Sequence, residues 1–174
     1  MPLVLRRTRD NLIWDNSADQ LPGLEIDDIA ADPITDLNTR ENELSIYLIQ
    51  DELTELDRCL SALAAERMNL QDLDYILFDK DIIDQLLLEI NNVEGNLKDH
   101  EINKLHRNII KLSAKKLISL SKKIMEKCQR KRILEEDVAR IIVKSINNNW
   151  IKKNSLSKSL LSEIESKYYP SEIR

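Results

Sequence analysis

Three carboxylates, Asp51, Asp79 and Asp81, stand just after two short apolar runs, LSIYLI at residues 44–49 and LDYILF at residues 73–78. Runs of that length and composition suit strands buried on both faces. If the strands are parallel, the acids lie just past their C-terminal ends, where open α/β sheets place ligands. Three such oxygens would suit Mg²⁺ and, through it, phosphoryl transfer. The plainer expectation is that each acid caps or opens the helix that follows. A receiver-type phosphorylation site uses similar acids, but needs more strand and helix alternation than a pattern that stops after residue 90.

Other catalytic chemistry finds little to work with. His100 and His106 are the only histidines, and six residues is too wide a spacing for one helical face. No serine sits in a G-x-S-x-G elbow, and two glycines in 174 residues leave no phosphate-cradling loop. Neither nucleotide hydrolysis nor a bound cofactor is expected.

Charge is more informative. Residues 1–100 hold 8 Lys and Arg against 23 Asp and Glu, and the remainder 18 against 8, beneath a net charge of −5. Such halves face each other or face something of opposite sign. Asp15, Asp19, Glu25, Asp27, Asp28, Asp32 and Asp36 fall in a stretch with Pro22, Gly23 and Pro33. It reads as a loop or strap over residues 15–39, able to lie on a partner's basic surface. The opposite sign is carried by Lys104, Arg107, Lys111, Lys115, Lys122, Lys123, Lys127, Arg130, Lys131 and Arg132, which would meet nucleic-acid phosphates in a salt-dependent way.

The elements that must position these residues follow from periodicity. Residues 3–14 read as extended around a basic, solvated middle at Arg6, Arg7 and Arg9. The two apolar runs with an intervening helix, capped at Asp51, read as a βαβ unit with parallel strands. Ile82, Ile83, Leu86, Leu87 and Ile90 predict a further helix. From 100 to 127 the apolar residues recur every three to five positions, predicting one helix of about eight turns, roughly 40 Å long. A basic linker at residues 129–132, a helix over 135–150 and a last helix capped by Ser155 complete the pattern. The passage KLISLSKKIMEKCQRKRILEEDVARII resembles the long helix, basic loop and next helix of histone-fold proteins, and also the helical lid of AAA+ ATPases.

The expected fold is therefore α+β and mainly helical: a small N-terminal βαβ unit with a two- or three-stranded sheet, then a C-terminal bundle built on one long helix. Two regions are expected, an acidic one at 1–94 and a basic one at 95–174, joined near Gly95. No 18-residue apolar run suggests a membrane span, and Cys59 and Cys128 on apolar stripes suit a reducing, cytoplasmic setting. The function expected is a non-enzymatic protein–protein interaction module, an accessory, regulatory or inhibitory subunit of a bacterial-type complex, partnered by another subunit or a second copy. The alternatives are a nucleic-acid-binding regulator using residues 104–132 and a Mg²⁺-dependent phosphoryl-transfer site at the strand ends.

Overall fold

A computed structural model describes residues 2–9, 30–37, 39–128 and 130–168. Its centre is a six-stranded sheet in which every neighbouring pair runs antiparallel. The strands are β1 (Leu3–Arg7), β2 (Leu44–Ile49), β3 (Leu73–Asp79), β4 (Glu89–Asn92), β5 (His106–Ile110) and β6 (Arg130–Ile133), in the spatial order β4-β5-β2-β1-β3-β6. The helices are α1 (Ala31–Asp36), α2 (Glu52–Ala65), α3 (Asp81–Gln85), α4 (His100–Asn103), α5 (Ala114–Lys127), α6 (Glu135–Asn147) and α7 (Lys158–Lys167).

Both faces of the sheet are covered, which is why the central strands are nearly all apolar. Alternate residues serve alternate faces. Leu5, Tyr47, Ile49, Leu73 and Tyr75 pack with α2, α6 and α7, whereas Val4, Leu44, Ile46, Ile76 and Phe78 pack with α3 and α5. Val4 and Leu5 are wholly buried because β1 lies between β2 and β3.

This overturns the mainly helical bundle with a small βαβ sheet. β2 and β3 do run in the same direction, but they are not neighbours, since β1 separates them and is antiparallel to each. The single helix expected over 100–127 is α4, strand β5 and α5 in succession. Lys111, at φ 54, turns the chain out of β5, and Ser113 then caps α5 by accepting from the Lys116 N–H at 3.3 Å. The basic linker is largely β6, so the resemblance to a helix, loop and helix fails at its loop. The helix expected through Ile90 stops at Gln85, Leu87 turns at φ 50, and Ile90 belongs to β4. Ser157, not Ser155, caps the last helix. Strands from beyond Gly95 pair with strands from before it, so both halves of the chain share one sheet.

Candidate functional site

The sheet divides at one end. β1 stays paired with β3 through Arg7↔Tyr75, and the Thr8 N–H still donates to the Asp74 carbonyl at 2.9 Å. Its pairing with β2 ends earlier, at Leu5↔Tyr47, while β2 keeps its own pairing with β5 as far as Leu44↔Ile109. Continued register would set Arg7 opposite Ser45. Instead the Arg6 guanidinium reaches across and donates to the Ser45 carbonyl at 2.9 Å, so a side chain satisfies a carbonyl on the rim of the split.

A cleft of about 370 Å³ opens there, at the small end of the 300–1,000 Å³ range of ligand pockets. Arg6, Arg7, Thr8 and Arg9 come from β1 and its extension, Ser45 and Tyr47 from β2, and His106 from β5. Asp36 ends α1, Leu63 comes from α2, and Asn96 from the loop after β4. On the other side of Arg6 a second hollow of about 250 Å³ is lined by Arg40, Glu41, Glu43, Ser45 and Asn108.

Three arginines in four residues normally fall on opposite faces of a strand. Here all three residues line one cleft, which opens where β1 parts from β2. Burial, the largest effect, lowers the Arg6 pKa. Asp36 opposes that shift, and the charges of Arg7 and Arg9 add to it. Among the described residues Asp36 is the one carboxylate in the lining, and it is itself buried, accepting from the Arg9 backbone N–H at 2.8 Å. The Thr8 hydroxyl is buried with no hydrogen-bond partner among the described residues, in a side chain 3 % exposed. His106 Nδ1 lies 2.9 Å from the Val93 carbonyl and therefore carries a proton; the ring packs edge-on to Tyr47 at 5.2 Å between centroids. Burial raises the Tyr47 hydroxyl pKa well above its ordinary value, leaving it a neutral hydrogen-bonding group. Chemically, the cleft is a cation-rich pocket with hydroxyl and imidazole groups in reach.

No family model, curated protein or solved structure matches this chain.

The acids at the strand ends take separate posts. Asp51 caps α2, accepting from the Leu53 N–H at 3.1 Å and the Thr54 hydroxyl at 2.7 Å. Asp79 is the exposed last residue of β3 and Asp81 opens α3. Among the described residues no three His, Cys, Asp or Glu side chains are grouped so as to hold a metal ion. Of the acidic strap, Asp15, Asp19, Glu25, Asp27 and Asp28 lie outside the described residues. Asp32 is half-buried on α1, and Asp36 lines the cleft.

The basic residues are dispersed over several elements. Lys104 pairs with Glu101 at 2.7 Å and Lys111 with Glu89 at 2.6 Å, while Arg107 donates to the Lys104 and His106 carbonyls. Lys115, Lys122, Lys123 and Lys127 belong to α5, where Lys123 pairs with Glu126 at 2.9 Å. Lys131 is exposed on β6. Arg130 and Arg132 both clamp the buried Asp74, at 2.5 and 2.8 Å. Among the described residues no helix is long and apolar enough to cross a membrane.

Sequence reasoning passed over Arg6, Arg7 and Arg9 as a solvated strand middle. The available signal was RRTR at the end of a strand whose preceding residues are wholly apolar. Its significance depends on where β2 stops pairing, which no local pattern gives.

Proposed function

We propose that the protein is a non-enzymatic binding module, a cytoplasmic accessory or regulatory subunit that docks on a partner protein by receiving an anionic group in the cleft between β1 and β2. The observation that supports this is the charge imbalance of the cleft. The Arg7 and Arg9 side chains are exposed and without an ion-pair partner among the described residues, and the one lining carboxylate, Asp36, is already engaged by backbone. A concave site whose cations outnumber its anions favours a negatively charged ligand, and the imbalance accelerates encounter with it.

The test is size-exclusion chromatography with light scattering on the protein expressed in its native cells, as wild type and as Arg7→Glu with Arg9→Glu. A partner that elutes with the wild type at fixed stoichiometry and is lost from the variant is the expected result. Retention of the same partner by a folded variant overturns the reading, as does a wild type that elutes as a bare monomer.

One feature favours a nucleic-acid reading as the second choice. On α5 Lys115 and Lys127 are exposed, Lys116, Lys122 and Lys123 are half-buried, and Glu126 is the only acid on that helix. This reading predicts binding that weakens steeply with salt and is lost on replacing Lys115, Lys122 and Lys123 with Glu. Arg130 and Arg132 must be left in place in that experiment, because they hold Asp74.

A further inference from the structure

We infer that the cleft between β1 and β2 is a binding site for a doubly charged tetrahedral oxyanion, a phosphate or phosphate monoester, held by the guanidinium groups of Arg6, Arg7 and Arg9 with the Thr8 hydroxyl. This rests on the reading of the cleft as the recognition site and adds the chemical class of what it recognises.

Two independent observations meet there. The first is the density of planar donors. Each guanidinium presents five N–H groups in a fixed fork that matches oxyanion geometry, and the three residues that carry them line one 370 Å³ space. Arg6 is held in place by its bond to the Ser45 carbonyl, and its buried Nε has no partner. Arg9 is fixed at its backbone from two sides, its N–H donating to Asp36 and its carbonyl accepting from Arg130 at 2.7 Å. The Arg6 side chain and the backbone at Arg9 are therefore fixed before any ligand arrives, which lowers part of the ordering cost of binding.

The second observation is the orphaned Thr8 hydroxyl. A buried hydroxyl without a partner is unfavourable, and a partner that supplies an acceptor oxygen relieves it. Thr8 lines the same cleft as the three arginines. A tetrahedral oxyanion offers several acceptor oxygens and so can take a hydroxyl bond along with the guanidinium forks. A single planar carboxylate, with two oxygens and one charge, leaves part of this donor set unused. His106 supplies a further polar group, since its Nδ1 is engaged by Val93 while Nε2 has no partner among the described residues.

The site suits a free ion or a single phosphorylated side chain better than a polyanion. Its basic residues line one cleft together with Tyr47 and Leu63, not a long track. Inorganic phosphate and a phosphoserine peptide share the recognised chemistry and differ in source.

The experiment is a pair of calorimetric titrations at constant ionic strength, with inorganic phosphate and with a phosphoserine peptide; chloride and the peptide carrying glutamate in place of phosphoserine serve as controls. Proteins compared are the wild type, Arg7→Gln with Arg9→Gln, and Thr8→Val. The expected result is saturable one-to-one binding of phosphate or the phosphopeptide, at least about tenfold tighter than the controls, and roughly tenfold or more weaker in the arginine variant. Tighter binding of the peptide than of the free ion assigns the source as a modified partner; the reverse assigns it as free phosphate. Thr8→Val is expected to weaken binding severalfold while keeping or raising the melting temperature, because it removes an unsatisfied hydroxyl without changing shape. A residue serving only the fold would not show that opposition. The inference is overturned if neither phosphate nor phosphopeptide binds above the controls, or if both variants bind as the wild type does. If phosphate fails while the native partner is still lost from Arg7→Glu with Arg9→Glu, only the ligand class falls. If the partner is also retained, the reading of the cleft falls with it.

Discussion

Asp74 is 1 % exposed at the start of β3, yet it is charged, and it is the residue on which the arginine-rich end of the sheet hangs. Burial, the largest effect on its carboxyl, pushes the pKa up. Hydrogen bonds from Arg132 and Arg130, joined by their charges, outweigh that and hold it below the ordinary carboxylate value. Removing one partner from a buried ion pair typically costs about 3–5 kcal/mol, because the remaining charge is left uncompensated. Asp74→Ala is therefore expected to lower stability by about that amount in urea unfolding, and to loosen Arg130, whose other bond fixes the Arg9 carbonyl. The pH dependence has a definite sign. A carboxyl with a lowered folded pKa stabilises fully above its unfolded value near 3.9, and this contribution is lost as pH falls through the folded value. Asp74→Asn should accordingly flatten the acid side of the stability curve below about pH 4, measured by melting temperature against pH. The two cysteines sit at the other extreme: burial raises both thiol pKa values, so Cys59 and Cys128 are protonated, poor nucleophiles at neutral pH.

At the scale of elements, caps and turns decide where the chain changes direction, and several are held from a distance. The Asp51 cap of α2 is local and reinforced by Glu55, which accepts from the Gln50 and Asp51 N–H groups at 2.7 and 3.2 Å. Asp51→Ala should cost about 1 kcal/mol, read as a shift in urea midpoint, with Asp51→Asn close to neutral. The start of α6 is satisfied otherwise. Leu134 offers no capping side chain, and Asp72, from just before β3, accepts from the Glu135 N–H at 2.8 Å. The hairpin turn before β2 puts Glu41 and Asn42 at φ 55 and 62, bracketed by paired hydrogen bonds between Arg40 and Glu43. Two left-handed residues in a two-residue turn favour Asn followed by Gly. Glu41→Asn with Asn42→Gly should therefore raise stability by about 1 kcal/mol in the same assay. Gly95 is constrained by space: a Cβ there would lie 2.9 Å from Asn103 Oδ1 and 3.1 Å from His106 Cβ. Asn103 is buried and bonded both ways to Leu97, at 2.7 and 2.9 Å. Gly95→Ala is expected to destabilise by about 1–3 kcal/mol and to shift the His106 ring resonances, observed by NMR, because the same contact borders the cleft.

Across the whole molecule, several ion pairs join the acidic half of the chain to the basic half. Glu89 pairs with Lys111, Asp57 with Lys144, and Asp72 and Asp74 with Arg130 and Arg132. The exposed pairs contribute little individually, about 0–1 kcal/mol each, but the sheet that carries them is continuous. β5 lies between β4 and β2, and β6 covers the outer edge of β3. A fragment ending at residue 94 would leave β4 with no neighbour and two strand edges bare, so it is expected not to fold alone. Far-ultraviolet circular dichroism and proton NMR dispersion of residues 1–94 check this; a cooperative native-like transition in the fragment would contradict it.

β1, β2, β3, α2 and α6, along with the Asp51 cap, are legible before any fold is known, because each is written in a run of apolar residues or in cap chemistry a few residues long. Periodicity misled at residues 106–110. The spacing of Ile102, Leu105, Ile109 and Leu112 matches a helix, yet HRNII pairs with β2 and β4. A strand is stabilised by neighbours that lie far along the chain, and those neighbours leave no mark in the local pattern. The same reason explains the cleft. Arg6, Arg7, Thr8 and Arg9 are plain in the sequence, but their convergence depends on β1 following β3 and parting from β2, whose Ser45 lies 39 residues from Arg6. Only the tertiary structure fixes that parting, because strand order and the end of each pairing are set by packing on both faces of the sheet.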